Sequence, residues 1–117
     1  MNTIAADSNT RLKGAVPKIA ALIPTFNRMK SLRNCLQCLK KQDFTSTPAS
    51  LLPVVIVDGS TDGTLEMLEK EFPDVVLVQG DGNWWYTKCI NEGIKTAIRL
   101  NCDFVLTLND DLTFASK

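Results

Sequence analysis

Apolar runs alternate with amphipathic helical patterns along this chain. Four continuous apolar runs are typical of buried strands; they are residues 19–23, 54–57, 75–78 and 104–108. Between them, apolar residues recur at helical spacing, which predicts helices over residues 29–42, 65–72 and 87–100. Buried strands that alternate with amphipathic helices imply a parallel sheet with helices on both faces. The pattern therefore predicts the α/β class, with a Rossmann-like, mostly parallel sheet in the order βαβαβαβ.

Each predicted strand is followed by a polar cluster. The clusters are residues 24–28, 58–62, 80–83 and 109–111. Right-handed crossovers leave all the strand ends at one edge of such a sheet. Ligands of these sheets bind outside that edge, where the strand order reverses. We therefore expect the functional site at this edge.

The last of these clusters has the clearest chemistry. Asp110 and Asp111 directly follow an apolar run, so a buried strand would present two adjacent carboxylates at its end. Carboxylates in this position are a common way to hold a divalent metal against a phosphate. Asp62 is interpreted differently, because an aspartate just before a helix is typical of an N-cap.

Composition and charge narrow the class of function. The chain has 117 residues, 44% of them apolar, and its 13 basic and 13 acidic side chains give a net charge of zero. A nucleic-acid-binding protein needs a basic excess or stripe, so we expect no nucleic acid partner. Residues 1–17 lack the apolar segment of a secretory signal and are interpreted as a flexible lead-in to a domain over residues 18–117. No run approaches the roughly 18 apolar residues of a membrane span, so we expect a cytoplasmic protein.

Cysteine and histidine usage restricts the candidate sites further. Cys35 and Cys38 form a Cys-x-x-Cys pair, a spacing found in redox and zinc sites. Cys35 shares a helical face with leucines, and no second Cys-x-x-Cys is present, so we interpret the cysteines as packed thiols in a reducing cytosol. The chain contains no histidine, which excludes histidine-ligated zinc and catalytic sites that use Ser-His-Asp or Cys-His.

The segment after the second strand matches two other motifs by spacing. Asp58, Ser60, Asp62, Gly63 and Glu69 occupy positions of an EF-hand calcium loop. Such a loop follows a helix, whereas strand-forming residues precede Asp58. A haloacid-dehalogenase nucleophile loop would need an aspartate where Ser60 stands. The phosphate-binding loop of P-loop NTPases and the Gly-x-Gly-x-x-Gly dinucleotide fingerprint are also absent from the sequence.

Four motifs together resemble the family 2 glycosyltransferases of GT-A fold. They are Ile-Pro-Thr-Phe-Asn-Arg at residues 23–28, Val-Asp-Gly-Ser-Thr-Asp-Gly-Thr at 57–64, Asn-Glu-Gly-Ile at 91–94 and Leu-Asn-Asp-Asp at 108–111. The resemblance covers about residues 18–114, and the order and spacing of the motifs make it specific. Residues 80–86, Gly-Asp-Gly-Asn-Trp-Trp-Tyr, are also similar to a stretch of rhamnosyltransferase-like members, Gly-Asp-Gly-Asn-x-Trp-Trp.

The resemblance implies a binding site for a nucleotide sugar, with a UDP-, dTDP- or GDP-linked donor. Pro24, Thr25 and Phe26 would line its base and ribose. Asp58 would accept the N3–H of a uracil-type base, since a carboxylate accepts hydrogen bonds and cannot donate them. Arg28 has two open interpretations, a contact with phosphate or a place at the start of a helix.

The resemblance also implies a metal-assisted reaction. Asp110 and Asp111 match the Asp-x-Asp region, whose carboxylates bind ribose and Mg²⁺ or Mn²⁺, and this metal would neutralise the diphosphate leaving group. Asn109 replaces the first aspartate of a strict Asp-x-Asp, which leaves open which residue ligates. Asp81 and Lys88 would contact the nucleotide or its diphosphate. Trp84 and Trp85 would either stack on a base or sugar or pack in the protein interior.

The family's general base lies C-terminal to its metal motif, and inverting sugar transfer needs such a base to deprotonate the acceptor hydroxyl. We therefore expect that base beyond Lys117 and expect this truncated chain to bind the donor without being active alone. The acceptor would be a saccharide or a lipid-linked group, in cell-wall or polysaccharide biosynthesis. The full-length protein would then work at the cytoplasmic face of the membrane.

Exposed apolar surface and self-association are expected where the remaining sheet would pack.

Two other functions stay open at this point. One is a non-catalytic module that binds nucleotides. The other is a nucleotidyltransferase, which usually carries a glycine-rich loop after its first strand, a loop that residues 24–28 do not resemble.

Overall fold

Seven elements alternate along the described part of the chain, residues 16–41 and 50–111 of a computed structural model. They are β1 (Lys18–Thr25), α1 (Met29–Lys40), β2 (Ser50–Asp58), α2 (Thr64–Glu71), β3 (Val76–Gly80), α3 (Trp85–Arg99) and β4 (Phe104–Thr107). The predicted order βαβαβαβ is confirmed. Of the predicted lead-in, only residues 16 and 17 lie within the described ranges. None of the helices described is long and apolar enough to cross a membrane.

β1 and β2 are longer than their apolar runs because their ends are paired. β1 continues through Pro24 to Thr25, and β2 begins before Pro53. Every residue of β1 pairs in parallel with β2. Pro53 is tolerated because β3 pairs with β2 only from Val54 onward. At the proline, β1 is therefore the one strand of the described sheet that pairs with β2.

The strands described form one parallel sheet in the order β3-β2-β1-β4. Alternate residues of a strand face opposite sides of the sheet, so β1 and β2 contribute to two cores. One core lies under α1 and α2 and includes Ile23, Val55 and Leu36. The other lies under α3 and includes Leu22 and Ile56. The predicted α/β sheet with helices on both faces is therefore confirmed.

β4 departs from the prediction of a buried strand. Phe104, Val105 and Leu106 are 61%, 46% and 47% exposed, although β4 pairs with β1 along its whole length. β4 is the edge strand of the described sheet, whereas the two cores are centred on β1 and β2. Because side chains alternate along a strand, both faces of β4 carry exposed apolar groups. β4 therefore carries exposed apolar surface, and packing of a further part of the sheet against it stays a prediction.

The cysteines pack as the sequence predicts. No disulfide joins the four cysteines, all of which lie in the described ranges, and Cys35 and Cys89 are buried. Burial raises the pKa of each of these two from 9.0 to about 11. A thiol that stays protonated is a poor nucleophile and a poor metal ligand, so both cysteines serve as small core residues.

Candidate functional site

The strand order reverses between β1 and β4, and this reversal brings Thr25 against Asp110. The chain runs outward from β1 to β2 and β3, then returns through α3 to place β4 on the other side of β1. Beyond β4, the backbone N–H of Leu108 donates to the carbonyl oxygen of Leu22 at 2.9 Å. The Thr25 hydroxyl then donates to Oδ2 of Asp110 at 2.8 Å, and both residues are buried. The switch point of the sheet therefore carries a buried carboxylate.

Arg28 faces two carboxylates from the start of α1. Its Nη1 lies 3.5 Å from Oδ1 of Asp110 and 3.6 Å from Oδ2 of Asp111. The Asp110 side chain is 10% exposed, whereas those of Arg28 and Asp111 are 55% and 60% exposed. Burial raises the pKa of Asp110 above its ordinary value, while the Thr25 hydrogen bond and the Arg28 charge oppose that rise. Arg28 thus stands at the start of a helix and also extends into the predicted site.

The two carboxylates fit a divalent metal that also binds phosphate. Mg²⁺ usually takes one or two protein carboxylates and completes its shell with waters and substrate phosphates. Asp110 and Asp111 supply that number of carboxylates, and their shared contact with Arg28 shows that both face one cation. Across residues 16–41 and 50–111, no group of three or more His, Cys, Asp or Glu side chains is placed to hold a metal. The pair would therefore hold a metal together with a phosphate-bearing ligand.

Asp58 joins the end of β2 to the loop before α3. Its Oδ1 accepts the backbone N–H of Gly82 at 2.7 Å, and its Oδ2 accepts those of Trp84 and Trp85 at 3.0 and 3.1 Å. Asp58 is 7% exposed. Its charge at the first N–H groups of α3 is also favoured by the helix dipole. The carboxylate predicted to bind a uracil-type base thus has roughly one of its four lone-pair directions left.

Glycines allow this loop to approach Asp58. A Cβ added to Gly80 would lie 2.6 Å from Oδ1 of Asp58. A Cβ added to Gly59 would lie 2.6 Å from the Cα atom of Gly82, and Gly59 has a φ of +82°. Both distances are too short for any side chain, so these glycines are required by close approach of the two loops.

We expect Gly59→Ala to lower the free energy of unfolding by about 2–4 kcal/mol, because a backbone clash adds to the strain of a left-handed φ. Gly63→Ala is the matched control, since Gly63 has a φ of +91° but its Cβ would meet only Met29 Sδ, at 3.5 Å. In the control, the free energy of unfolding should fall only by the cost of the backbone strain, about 1–2 kcal/mol. Urea unfolding of both variants gives the difference, and equal losses would contradict the close contact between the loops.

Aromatic residues stand at the start of α3 with different surroundings. Trp84 is half-buried and packs against the core under α3, and Nζ of Lys88 lies 5.2 Å from the centre of its ring, within cation–π range. Trp85 is 78% exposed and Tyr86 is 59% exposed. Trp85 also has a φ of +58°, which is costly for a bulky residue. Trp84 therefore packs, whereas Trp85 projects into solvent.

Asp62 accepts hydrogen bonds from the first N–H groups of two helices. Its Oδ1 accepts hydrogen bonds from the backbone N–H and the hydroxyl of Thr64, which begins α2. Its Oδ2 accepts the backbone N–H of Met29, which begins α1, at 3.0 Å. The hydrogen bond from the Thr64 hydroxyl is the main reason that the pKa of Asp62 is lowered. The N-cap residue of α2 is Gly63, so the predicted N-cap assignment of Asp62 is wrong by one residue, although Asp62 does accept the first N–H of α2. The bond to α1 is an addition that the sequence did not reveal.

A further bridge at this edge was missed by sequence reasoning. The backbone N–H of Asn27 donates to Oγ of Ser60 at 2.9 Å, and Oδ1 of Asn27 accepts the backbone N–H of Thr61 at 2.7 Å. Asn27 has a φ of +49°, and asparagine is enriched in that left-handed region. An asparagine between a strand and a helix was therefore a signal for a tight turn here.

The other predicted residues lie along the same edge. Pro24 is half-buried in β1, and Phe26 is 55% exposed just beyond it. Asp81 is exposed in the loop before α3, where its Oδ1 accepts the backbone N–H of Asn83 at 2.9 Å. Lys88 is exposed one turn into α3.

Two groups of residues thus form the edge. The acidic cluster consists of Thr25, Arg28, Asp110 and Asp111. The loop cluster consists of Asp58, Gly82, Trp84, Trp85 and Lys88. The clusters adjoin across neighbouring strands, because Thr25 pairs in register with the residue before Asp58.

Comparison with known proteins identifies similar sequences and structures. The family model described as Glycosyl transferase family 2 matches residues 20–117. The Staphylococcus aureus protein TarS, a poly(ribitol-phosphate) beta-N-acetylglucosaminyltransferase, is 42% identical over 53 residues, which are 45% of this chain and 9% of TarS. This chain thus spans a small part of that relative.

Solved structures agree with this similarity. The crystal structure of S. aureus TarS 1–349 has a TM-score of 0.67 and 33% identity, over 80% of this chain and 27% of that chain; TarS 1–349 has also been solved with UDP and with UDP-GlcNAc. The mannosyltransferase PcManGT from Pyrobaculum calidifontis, in complex with GDP-Man and Mn²⁺, has a TM-score of 0.69 and 20% identity, over 95% of this chain and 35% of that chain. The second likeness shows a shared fold.

Proposed function

This chain belongs to glycosyl transferase family 2, and we propose that its sheet edge binds a nucleotide sugar for transfer of the sugar to an acceptor hydroxyl. The observation that carries the proposal is the contact of Thr25 with buried Asp110 at the switch point, with Arg28 and Asp111 beside it. The switch point is where doubly wound sheets bind their ligands. An acidic pair there serves a substrate that arrives with phosphates and a metal.

We propose UDP-linked sugars as the donors, and UDP-GlcNAc as the first to test. The support is that TarS 1–349, whose structures with UDP and UDP-GlcNAc are known, is 33–34% identical over 80% of this chain. The mannosyltransferase that holds GDP-Man shares the fold at 20% identity, which is weaker support for a guanine nucleotide. A dTDP-linked donor has the same hydrogen-bonding edge on its base as UDP and is the second choice.

The position of each side chain suggests its role toward the donor. Pro24 and Thr25 end β1 at the sheet edge and Phe26 follows them, and the three would form one wall for base and ribose. Asp110 and Asp111 would hold Mg²⁺ or Mn²⁺, which supplies positive charge to the departing diphosphate when it is bound. The backbone N–H groups at the start of α3 are taken by the Asp58 carboxylate, so they are not free for phosphate.

Two exposed side chains, Lys88 of the loop cluster and Asp81 beside it, complete the proposed donor site. Lys88 would place its ammonium group toward the diphosphate, and Asp81 would accept a hydrogen bond from the nucleotide. Moving Lys88 costs little, because its ammonium lies over the Trp84 ring at 5.2 Å, a contact that contributes about 0.5–1 kcal/mol at an exposed site.

We propose an inverting transfer. The acceptor oxygen forms a bond to the anomeric carbon while the bond from that carbon to the diphosphate breaks, and the hydroxyl proton passes to a general base. No residue in the described ranges is assigned as this base. The acceptor, a saccharide or a lipid-linked group, follows from the family resemblance.

Calorimetric titration of the chain with UDP, dTDP and GDP, each with and without Mn²⁺, tests the proposal. We expect UDP to bind at least about tenfold more tightly with Mn²⁺ than without it, since metal and diphosphate favour each other's binding. Asp74→Asn, which removes an exposed charge just before β3, is the control and should leave this coupling unchanged. The proposed site would be contradicted if none of the three nucleotides bound, or if their affinity were the same with and without Mn²⁺.

A further inference from the structure

Arg28 and Arg33, at the start of α1 and within it, make ion pairs of different kinds. Arg33 holds Glu71 through two hydrogen bonds of 3.0 Å from Nε and Nη2. Arg28 instead reaches two carboxylates through one nitrogen at 3.5 and 3.6 Å, longer than the roughly 2.7–2.9 Å of a strong charge-assisted hydrogen bond. Its side chain is also 55% exposed. Arg28 is therefore held loosely, by charge and not by fixed geometry.

The charges of the acidic cluster explain why Arg28 lies there. Asp110 and Asp111 are adjacent in sequence and face the same point, so a guanidinium between them reduces their mutual repulsion. A divalent cation at that point would do the same more strongly and would repel Arg28. A diphosphate bound to that cation brings new negative oxygens, and the planar fork of a guanidinium matches phosphate oxygens well.

We propose that Arg28 is a positioning residue that occupies the metal's place until metal and donor arrive, and then moves to the diphosphate. The inference rests on the proposed function, because it assigns a partner to Arg28 in the donor-bound state. It makes Arg28 a competitor of the metal when no nucleotide is present and a helper when the nucleotide is bound. One residue would thereby favour joint binding of metal and donor over binding of metal alone.

Two effects of opposite sign follow for Arg28→Gln. Without nucleotide, Mn²⁺ should bind at least about fivefold more tightly, because a positive charge near the metal has been removed. With Mn²⁺ saturating, UDP should bind about tenfold more weakly, because a bidentate contact to phosphate is lost. Arg33→Gln removes the same charge from the same helix at a position that pairs with Glu71 and not with the acidic cluster, and should show neither effect.

The experiment compares wild type with Arg28→Gln, Arg28→Lys and Arg33→Gln. Mn²⁺ binding without nucleotide is measured from the free Mn²⁺ signal in electron paramagnetic resonance. UDP binding at saturating Mn²⁺ is then measured by calorimetry. Arg28→Lys should bind Mn²⁺ like wild type, because it keeps the competing charge, and should bind UDP less well, because an ammonium lacks the fork. Circular dichroism and urea unfolding confirm that each variant is folded.

The outcomes separate this inference from the proposed function. Unchanged or weaker Mn²⁺ binding by Arg28→Gln, or no Mn²⁺ binding by any variant, overturns the competition. Tighter Mn²⁺ binding with unchanged UDP binding overturns the move to the diphosphate. If Arg28→Gln binds Mn²⁺ more tightly than wild type does, and wild type binds no nucleotide, the competition is supported while the proposed function fails.

Discussion

Asp58→Asn is expected to lower the free energy of unfolding by about 2–4 kcal/mol. The two oxygens of Asp58 accept backbone N–H groups from both sides, Gly82 on Oδ1 and Trp84 and Trp85 on Oδ2. Asparagine has one acceptor oxygen, so its NH₂ group must face an N–H donor whichever way the amide is turned. At least one partly buried donor then loses its partner, and the negative charge at the start of α3 is lost as well.

Urea unfolding measures this loss, and intrinsic fluorescence localises it, because the backbone N–H groups of the chain's two tryptophans, at the start of α3, are both bound by Asp58. Asp81→Asn is the matched control in the same loop: Asp81 is exposed and accepts a single local bond from Asn83, which an amide oxygen can also accept. The control should change stability by less than about 0.5 kcal/mol. If Asp58→Asn is as stable as wild type but no longer binds UDP, Asp58 acts as the base acceptor that the family resemblance implies.

Asp58 and Asp62, at and just after the end of β2, affect how this edge would bind a diphosphate. Asp58 takes the N–H groups that begin α3, and Asp62 takes those that begin α1 and α2. Free helix N-termini are the usual phosphate sites of α/β proteins, and here side chains already occupy them. A diphosphate at this edge would therefore depend on Arg28, Lys88 and a bound metal. A site of this kind would not need the glycine-rich phosphate loop that the sequence lacks.

Much of the fold could be predicted because local patterns and tertiary structure agree. The apolar runs of β1 and β2 lie between two helix layers, so continuous burial was a reliable sign of a strand. The strand ends were less predictable: Pro24 and Pro53 normally argue against a strand, yet both lie inside paired β structure. β4 shows the limit of the pattern, because its apolar run resembles those of β1 and β2 whereas its side chains are exposed at the edge of the described sheet.

The site was predictable in position and less so in contacts. Parallel strands bring their ends to one edge, so the polar clusters at 24–28 and 109–111 were expected on the same side of the sheet; β4 then lies beside β1, and Thr25 bonds Asp110. The partners of Asp58 were not predictable, because they depend on a loop 24–27 residues away that turns back over β2. The contact of Arg28 with both carboxylates depends in the same way on the return of β4 beside β1.

Asp110→Asn should abolish the metal-dependent part of UDP binding, a loss of about a hundredfold, without destabilising the fold at neutral pH. An amide cannot replace a carboxylate on Mg²⁺ or Mn²⁺ with similar strength, so the binding loss follows from the proposed ligand role. Stability is spared because the amide oxygen of the variant side chain would still accept the Thr25 hydroxyl bond, and because the lost contact with Arg28 involves a largely exposed side chain.

The pH dependence of stability gives this prediction a second test. Burial raises the pKa of Asp110 above the ordinary 3.8, so the folded state bears the cost of a buried charge at every pH above that raised pKa. The cost falls as the pH drops through the folded pKa and is gone below about 3.8, where the carboxyl is protonated in both states. Asp110→Asn should therefore be at least as stable as wild type at pH 7, and any advantage should vanish in acid. The contribution of Asp62 to stability has the opposite sign, because its lowered pKa stabilises the fold above the ordinary pKa of 3.8. Asp62 is present in both chains, so its contribution cancels in the difference between them.

Urea unfolding of both chains between about pH 3 and pH 8 measures this difference. Asp111→Asn is the control for exposure: its side chain is 60% exposed, so it should weaken metal-dependent binding while changing stability by less than about 0.5 kcal/mol at any pH in that range. A clear loss of stability in Asp110→Asn at pH 7 would mean that the carboxylate supports the switch point by its charge. Retained Mn²⁺ dependence in that variant would place the metal ligand elsewhere, because the buried carboxylate is the one that the strand reversal positions against β1.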